Sequence, residues 1–326
     1  MAYPYTRMRR SRQQDWTRSL VAEHQLSVKN LIWPIFVHEH KHDIEIDGFY
    51  GVMRYSVEGM VRAVEKACQL GVPAVALFPV VDPSLKTNNG EEATNPENLI
   101  CRCVKAIKSR SLPIGIIVDV ALDPYTSHGH DGILVDGLVD NDRTVEQLVL
   151  QALVLAESGA DVIAPSDMMD GRIRAIRQVL EDNNYAQTLV MSYAAKYASS
   201  FYSPFRSAVG SAGAFGKSDK KTYQQDFANI REAVKEVQLD LDEGADWVMV
   251  KPAMSYLDVV HAISNEINAP LFCYQVSGEY VMLQSLAKQS AQNVVPFLIE
   301  SLLSCKRAGA YGILTYAAVE VATFLS

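Results

Sequence analysis

Eight short apolar runs recur along the 326 residues of this chain, and this repetition limits the fold more than any other feature. Polar clusters and segments with the periodicity of amphipathic helices lie between successive runs. The runs alternate little between apolar and polar residues, which is typical of parallel strands buried on both faces. They are LIWPIFV (31–37), VPAVALFPV (72–80), PIGIIVDV (113–120), ADVIAPS (160–166), TLVMSYAA (188–195), DWVMVK (246–251), PLFCYQV (270–276) and YGILTY (311–316).

Three intervening segments show clear helical periodicity, namely 57–71, 144–160 and 223–245. The first two end at a glycine, the residue that commonly follows a helix. Eight strand and helix units predict an α/β fold, a (β/α)8 TIM barrel over residues 31–326. An open, doubly wound sheet is the alternative. No G-x-G-x-x-G motif follows the first strand, so the phosphate site of such a sheet would be missing.

The charge and hydropathy of the chain argue against several classes of function. With 38 acidic and 30 basic residues the net charge is -8, so the protein as a whole has no electrostatic basis for binding nucleic acid. No apolar run is long enough to span a membrane, and no signal-peptide pattern follows the N-terminal charges. We therefore expect a cytoplasmic protein whose five cysteines, an odd number, remain reduced thiols.

Residues 1–30 precede the first strand and form a basic segment. Basic segments bind nucleic acid in many proteins. Here the aromatic residues Tyr3, Tyr5 and Trp16 interrupt the basic residues, and the rest of the chain is acidic. We expect an N-terminal arm that packs on a neighbouring subunit. The arginines of the arm are Arg7, Arg9, Arg10, Arg12 and Arg18.

Polar side chains stand where the predicted strands end, and two of them are lysines, Lys196 and Lys251. A TIM barrel places its catalytic groups at the carboxyl ends of its strands. Desolvation lowers the pKa of an amine at the end of an apolar strand and makes it a nucleophile near neutral pH. Either lysine alone is readily explained as a strand end that reaches solvent. Two together predict that two carbonyl substrates are held as Schiff bases. The other strand-end groups are Asp119, Asp123, Ser166, Asp167, Ser277 and Tyr316.

The loop DVALDPYTSHGHDG (119–132) contains three carboxylates and two histidines. Such carboxylates form sites for hard metals, and the histidines fit a zinc site. The prolines and glycines of the loop fit a turn-rich connection without any ligand. Carboxylates beside the lysines also fit recognition of an ammonium group without a metal. The residues alone leave these interpretations open. The side chains are Asp119, Asp123, Asp131, His128 and His130.

Longer motifs carry a resemblance to a known family. They are FPVVDPSLKTNNGEEATNPENL, DVALDPYTSHGHDG, APSDMMDGR, MSYAAKYASSFYSPFR, DKKTYQ, VMVKPAMSYLD, QVSGEY and LTY. These motifs occur in the order found in the porphobilinogen synthases, also called 5-aminolevulinate dehydratases, and the chain resembles that family. The segment RRSRQQDWTRSLVAEHQLS resembles the N-terminal arm of that family. The resemblance covers almost the whole chain.

The resemblance implies an asymmetric condensation of two 5-aminolevulinate molecules to porphobilinogen, with loss of two waters, in tetrapyrrole (heme) biosynthesis. It implies that Lys251 forms a Schiff base with the substrate that becomes the propionate side of the product. Lys196 would bind the substrate that becomes the acetate side. This chemistry suits the two amines, because a protonated imine is an electron sink that acidifies the neighbouring C–H.

The resemblance also implies separate binding groups for the two substrate carboxylates. Arg206 and Lys220, with Gln224 nearby, would bind the acetate-side carboxylate. Ser277 and Tyr316 would bind the propionate-side carboxylate. Arginine suits this role because its guanidinium group binds a carboxylate through two parallel hydrogen bonds.

The zinc-dependent branch of the family has three cysteines where this chain has Ala121, Asp123 and Asp131. Carboxylates are hard ligands and form a poor zinc site, so we expect no catalytic zinc. Asp123 and Asp131 would instead contact the acetate-side amino group, directly or through Mg²⁺, a monovalent cation or water. Asp119 and Ser166 would contribute to this contact.

The zinc-independent branch of the family implies a stimulatory, allosteric Mg²⁺ at a subunit interface, and the matching carboxylate here is Glu236. It also implies a homo-octamer built from arm-wrapped dimers. Segment 197–222 would be a mobile lid over the site. The chain departs from the family at Ser203, Trp247 and Tyr311, which replace a glycine, a smaller apolar residue and an acidic residue. These departures remove no predicted catalytic group.

Two other classes of function stay open at this point. A class I aldolase is also a TIM barrel with a Schiff-base lysine at a strand end, but it needs only one such lysine and usually a phosphate site. A non-catalytic interaction protein with a basic arm would leave the polar strand ends unexplained.

Overall fold

The computed structural model describes residues 2–203, 205 and 219–326, and within them eight parallel strands close into a barrel. The last strand returns to the first, where Leu31 pairs with Ile313 and Ile32 pairs with Leu314. The predicted TIM barrel is therefore confirmed, and the alternative of an open sheet is wrong. The strands are β1 (Leu31–Val37), β2 (Ala74–Pro79), β3 (Gly115–Val120), β4 (Val162–Pro165), β5 (Leu189–Lys196), β6 (Trp247–Lys251), β7 (Leu271–Gln275) and β8 (Gly312–Thr315).

One helix precedes the barrel strands, and the others lie around the barrel and follow its strands. The helices are α1 (Asp15–Leu20), α2 (Val57–Gln69), α3 (Leu99–Lys108), α4 (Asn141–Glu157), α5 (Arg172–Asp182), α6 (Arg231–Asp242), α7 (Leu257–Glu266), α8 (Ser277–Gln289), α9 (Val295–Ala308) and α10 (Ala318–Leu325). Short strands extend the loops at Ile44–Glu45, Met53–Tyr55, Leu134–Val135 and Leu138–Val139. Turns of 3-10 helix lie at Met8–Arg12, Val28–Asn30, Pro83–Leu85, Glu91–Thr94, Ser200–Tyr202 and Met254–Tyr256.

Helix α2 shows how the local sequence sets an element. The side chain of Ser56 accepts a hydrogen bond from the backbone N–H of Gly59 at 3.0 Å and so satisfies a donor at the helix start. Met60 and Val64 are fully buried on the face that packs on the barrel. The helix ends before Gly71, whose φ of 80° lies in the left-handed region that glycine adopts without steric cost.

The predicted strands agree with the observed ones to within two residues at each end. The helix predicted over 223–245 is wrong in its first part, because α6 begins only at Arg231. The backbone before α6 pairs with the end of β5 instead. Gln225 donates its N–H to the carbonyl of Lys196 at 3.0 Å, and its carbonyl accepts from Ala198 at 2.9 Å. Those backbone groups are then unavailable to a helix.

The N-terminal segment before β1 packs little against its own barrel. Neither its 3-10 turn (Met8–Arg12) nor α1 contains a buried residue. The side chains of Tyr3 and Trp16 are 76% and 66% exposed.

Every helix in the described part of the chain is too short or too polar to span a lipid bilayer.

Candidate active site

Lys196 and Lys251 stand side by side at the carboxyl ends of β5 and β6. Their Cα atoms are direct partners in the parallel ladder, and the backbone N–H of Tyr197 donates to the carbonyl of Lys251 at 3.0 Å. The two lysines are only 6% and 7% exposed. They are not strand ends that reach solvent, and the two amines lie in one buried site.

Four aromatic rings surround the amine of Lys251. The distances from Nζ to the ring centres are 4.4 Å (Tyr274), 5.1 Å (Tyr193), 5.3 Å (Phe205) and 5.5 Å (Tyr202). Contacts of this kind favour the ammonium form. Burial opposes them and, together with the positive charge of Lys196, lowers the pKa of Lys251 to about 7. Much of Lys251 is therefore a free, nucleophilic amine at neutral pH.

The carboxylate of Asp131 contacts the amines of two lysines, Lys196 and Lys220. Its Oδ2 lies 3.4 Å from Nζ of Lys196, and its Oδ1 lies 2.6 Å from Nζ of Lys220. Lys196 also donates to the backbone carbonyl of Ser166. Burial alone would raise the pKa of the fully buried Asp131, but the two ammonium groups outweigh it and hold this pKa below its usual range. Asp131 thus remains a carboxylate.

Two further carboxylates of the same loop have raised pKa values. Burial raises the pKa of Asp123, even though Oδ2 of Asp123 lies 3.3 Å from Nζ of Lys220. Burial raises the pKa of Asp119 to about 6. Ser166 donates to Oδ2 of Asp119 at 3.0 Å, whereas Oδ1 finds no hydrogen-bond partner in the described part of the chain. Asp119 is thereby suited to exchange a proton near neutral pH.

The residues expected to bind the acetate-side carboxylate gather around Asp131. The structure pairs Lys220 with Asp131 and Asp123, so its charge is shared with two aspartates of the protein. Gln224 is buried, and its Nε2 donates to Oδ2 of Asp131 at 3.5 Å. Arg206, the third expected group, and most of the predicted lid lie outside the described residues.

The residues expected to bind the propionate-side carboxylate, Ser277 and Tyr316, are both buried. Ser277 Oγ accepts a hydrogen bond from the backbone N–H of Phe205 at 2.9 Å. The Tyr316 hydroxyl lies 3.0 Å from the Tyr274 hydroxyl. The ring of Phe36 contacts the rings of Phe205 and Tyr316. The distances between ring centroids are 5.4 Å to Phe205 and 5.8 Å to Tyr316. Burial raises the pKa of Tyr316, which therefore stays a hydroxyl donor.

The histidines of the 119–132 loop contact residues of neighbouring segments. Nε2 of His128 lies 3.0 Å from the carbonyl of Asn88, and Nδ1 of His130 lies 3.1 Å from the hydroxyl of Tyr223. In residues 2–203, 205 and 219–326, no three His, Cys, Asp or Glu side chains are arranged as a metal site. These contacts hold the histidines against Asn88 and Tyr223.

A C-x-C sequence at residues 101–103 precedes the 119–132 loop. Cys101 and Cys103 lie on α3 and are fully buried. Burial raises the pKa of Cys101 to about 11 and that of Cys103 to about 12, so both remain neutral thiols at physiological pH.

Glu236 lies away from the lysines, on a cavity of about 580 Å³ at the surface. The wall of this cavity carries oxygen-bearing side chains, which are the ligands that Mg²⁺ prefers. Burial and the neighbouring carboxylates raise the pKa of Glu236. Other oxygen-bearing residues on this wall include Asp170, Asp226, Asn229 and Glu232.

A buried ion pair links the helices beside this cavity to β5. Nη1 of Arg172 lies 2.6 Å from Oδ1 of Asp240, and Nη2 donates to Oγ of Ser192 at 3.1 Å. Ser192 in turn donates to Oδ2 of Asp240 at 2.5 Å. Nε of Arg172 lies 4.0 Å from Asp167, the neighbour of Ser166 in the chain. This network holds α5, α6 and β5 in fixed relation behind Lys196.

Sequence reasoning missed the rings around Lys251. Tyr193 and Tyr274 lie within the strands β5 and β7, where an aromatic residue looks like ordinary core. Tyr202 and Phe205 belong to SFYSPF, which the sequence predicts to be part of a lid. The sequence shows Tyr193 three residues before Lys196, but this spacing does not predict a contact between Tyr193 and Lys251.

The chain as a whole is similar to known proteins of one family. The sequence matches the delta-aminolevulinic acid dehydratase family over residues 5–324. The delta-aminolevulinic acid dehydratase of Bradyrhizobium diazoefficiens is 51% identical over 317 residues, which cover 97% of this chain and 90% of the relative. That of Rhodobacter capsulatus is 45% identical over 324 residues, covering 99% and 97%.

A solved structure agrees with the fold. The delta-aminolevulinic acid dehydratase (porphobilinogen synthase) of Toxoplasma gondii, in complex with the reaction product porphobilinogen, superimposes with a TM-score of 0.96. It is 43% identical in sequence, and the match covers 98% of this chain and 91% of that one.

Proposed function

Since the chain belongs to the delta-aminolevulinic acid dehydratase family and condenses two 5-aminolevulinate molecules to porphobilinogen, we propose that Lys196 and Lys251 each hold one substrate. The reaction releases two waters and makes the enzyme a hydro-lyase. The observation that carries the proposal is the pairing of the two lysines as ladder neighbours at the carboxyl ends of β5 and β6. An aldolase needs one such lysine, whereas a condensation of two ketones uses both.

Lys251 binds the propionate-side substrate. Its free amine attacks the ketone carbon, water leaves, and a protonated imine remains. This imine withdraws electrons and acidifies the adjacent C–H, which permits carbon–carbon bond formation. Asp119, with its pKa near 6, supplies or accepts a proton in these steps. Lys196 binds the acetate-side substrate, whose amino group contacts Asp131 and Asp123.

Hydroxyl and cationic groups bind the two substrate carboxylates. Ser277 and Tyr316 are buried hydroxyl donors on the Lys251 side of the site. Hydrogen bonds from such donors to an ionised carboxylate are stronger than hydrogen bonds between neutral groups. Lys220, Gln224 and Arg206 serve the acetate-side carboxylate. The position of Lys220 beside Asp131 supports this role, because it places the ammonium group next to Lys196.

We assign the chain to the zinc-independent, Mg²⁺-responsive branch. Ala121 has no ligand atom in its side chain, and Asp123 and Asp131 already have the Lys220 ammonium group as their cation. This donor set suits oxygen-preferring ions rather than zinc. An allosteric Mg²⁺ fits the cavity of Glu236, where it would keep several waters and stabilise the subunit contact.

The N-terminal arm, residues 1–30, is proposed to join subunits into a homo-octamer around the barrel domain, residues 31–326. The exposed Tyr3 and Trp16 support this, because large aromatic side chains are common anchors of interfaces. Similar proteins include a bacterial one, from Bradyrhizobium diazoefficiens, and a chloroplastic one, from Physcomitrium patens. A cytoplasmic location for this chain is proposed from its sequence and is tested by cell fractionation.

The decisive experiment combines product formation with imine trapping. The enzyme is incubated with 5-aminolevulinate and Mg²⁺, porphobilinogen is measured by a colour assay, and borohydride reduction is followed by peptide mass analysis. We expect product and adducts on Lys196 and Lys251, and none on the exposed Lys29. Absence of product refutes the activity. Product without adducts on both lysines refutes the two-imine mechanism.

A further inference from the structure

Glu279 is a buried carboxylate for which the reaction described above has no role. It is the third residue of α8 and is fully buried. Its two oxygens accept four backbone hydrogen bonds. The donors are Met254 (2.6 Å), Val276 (2.8 Å), Ala253 (3.3 Å) and Ser255 (3.4 Å).

These four donors come from two separate loops. The amides of Ala253, Met254 and Ser255 begin the turn that leads into α7, and the amide of Val276 precedes α8. Backbone N–H groups at the start of a helix lack partners within the helix, and a carboxylate there is favourable. Glu279 therefore caps its own helix and the neighbouring turn with one side chain.

Burial raises the pKa of Glu279 to about 7, whereas the four N–H donors favour its carboxylate form. Glu279 forms no ion pair with any residue that the structure describes, so the four N–H groups are its only observed partners. A glutamine of the same shape has one oxygen that accepts. Its NH₂ group would face two of the four donors and leave them unsatisfied.

Both loops belong to the Lys251 half of the site. Ala253 follows Lys251 with only Pro252 between them, and Val276 directly precedes Ser277. Next to Ser277, Gly278 lies so close to the backbone of Phe201 that an added Cβ would stand 2.5 Å from its carbonyl oxygen. The first turn of α8 thus packs closely against the segment that contains Phe201 and Phe205.

We propose that Glu279 is a positioning residue for the propionate-side substrate, because it holds the loop after Lys251 and the loop before Ser277 in one fixed relation. The proposal rests on the assignment of Lys251 and Ser277 to that substrate in the proposed function. The imine carbon and the carboxylate of one substrate must be held at a fixed separation. Glu279 sets the separation of the two protein groups that hold them.

The test measures the two imines separately in the full-length enzyme. Wild type and Glu279→Gln are mixed with 5-aminolevulinate and reduced with borohydride after short times, and the adducts on Lys251 and Lys196 are quantified. We expect the rate of adduct formation on Lys251 to fall by about ten- to a hundredfold, since a misplacement of about 1 Å has effects of this size. The rate on Lys196 stays within a factor of about two, because its contacts, Asp131 and Ser166, lie in other loops.

Two controls separate positioning from a loss of folding or of charge. Leu302→Ala removes a buried core side chain of α9 and lowers stability, and Glu146→Gln removes an exposed carboxylate of α4. Both are expected to keep the wild-type ratio of the two adducts. If Glu279→Gln does not fold, Glu279→Asp is measured, because the shorter carboxylate reaches fewer of the four donors.

An unchanged ratio of adducts in the folded Glu279 variant overturns the proposal. Equal losses on both lysines also overturn it, because they indicate a general structural role. If wild type itself shows no adduct on Lys251, the proposed function fails instead, so the two failures are distinguishable.

Discussion

The Cα atoms of Lys196 and Lys251 are paired directly across the neighbouring strands β5 and β6, so the two amines of the site start from the same level of the barrel. Burial of both side chains makes it costly to keep two ammonium groups there. The amine of Lys196 lies 3.4 Å from the carboxylate of Asp131, whereas aromatic rings surround the amine of Lys251, whose pKa burial lowers to about 7. One pair of identical residues thereby has two different environments.

The first prediction concerns the pH dependence of imine formation. The pKa of Lys251 is lowered from the ordinary 10.5 to about 7, so its amine loses the proton and becomes nucleophilic as the pH rises through 7. We expect the initial rate of adduct formation on Lys251, measured by borohydride trapping, to rise between pH 6 and pH 8 with a midpoint of about 7. A flat profile over this range would contradict the role of the free amine.

A charge variant tests the cause of that midpoint. Lys196→Met removes the positive charge that contributes to the low pKa of Lys251, so the midpoint of the trapping profile moves to higher pH. Lys29→Met, in an exposed position at the other end of the barrel, should leave the midpoint unchanged. If both variants behave alike, burial alone sets the pKa.

The second prediction concerns Asp131. Asp131→Asn leaves Lys196 and Lys220 without the carboxylate that they share. We expect kcat/KM to fall by about two orders of magnitude, because breaking a buried, hydrogen-bonded charge pair costs roughly 2–5 kcal/mol. Asp136→Asn removes an exposed carboxylate from the hairpin that follows and serves as the control. Steady-state kinetics that are equal for both variants would show that Asp131 is dispensable.

The third prediction concerns stability. Arg172→Met leaves Asp240 buried without its cation, and breaking a buried ion pair costs about 3–5 kcal/mol. The midpoint of urea unfolding should therefore shift clearly to lower urea. Arg174→Met, at an exposed position of the same helix, should change the midpoint little. Similar midpoints for the two variants would mean that the Arg172 network adds no net stability.

The fourth prediction concerns magnesium. Glu236→Gln replaces the carboxylate with a neutral and weaker ligand, so we expect the Mg²⁺ concentration for half-maximal stimulation to rise about ten- to a hundredfold. Glu157→Gln, on the exposed surface of α4, should not change it. The oligomeric state, followed by analytical ultracentrifugation, should depend on Mg²⁺ in wild type and less in the Glu236 variant.

A chelation experiment tests the assignment of the branch. A zinc-selective chelator should leave activity intact, whereas exhaustive removal of Mg²⁺ should lower activity or dissociate the octamer. Strong inhibition by the zinc chelator would show that the loop of Asp123 and Asp131 binds zinc despite its lack of thiolates.

Local patterns predicted the strands well, because each strand is buried on both faces and must be apolar along its length. The failed helix prediction at 223–245 has a non-local cause. Tyr223 to Ile230 have amphipathic spacing, but the backbone of Gln225 is used by Lys196 and Ala198. A partner that is distant in sequence decided the conformation there, and periodicity contains no information about it.

The sequence by itself determined the β/α alternation, the closed barrel that follows from it and the placement of Lys196 and Lys251 at strand ends. These depend on hydrophobic spacing along a continuous chain. Only the tertiary structure decided that Lys220 pairs with Asp131, that four rings surround Lys251 and that Glu279 joins two loops. Desolvation and charge act over a few ångströms between residues far apart in the chain, so these relationships exist only once the barrel has closed.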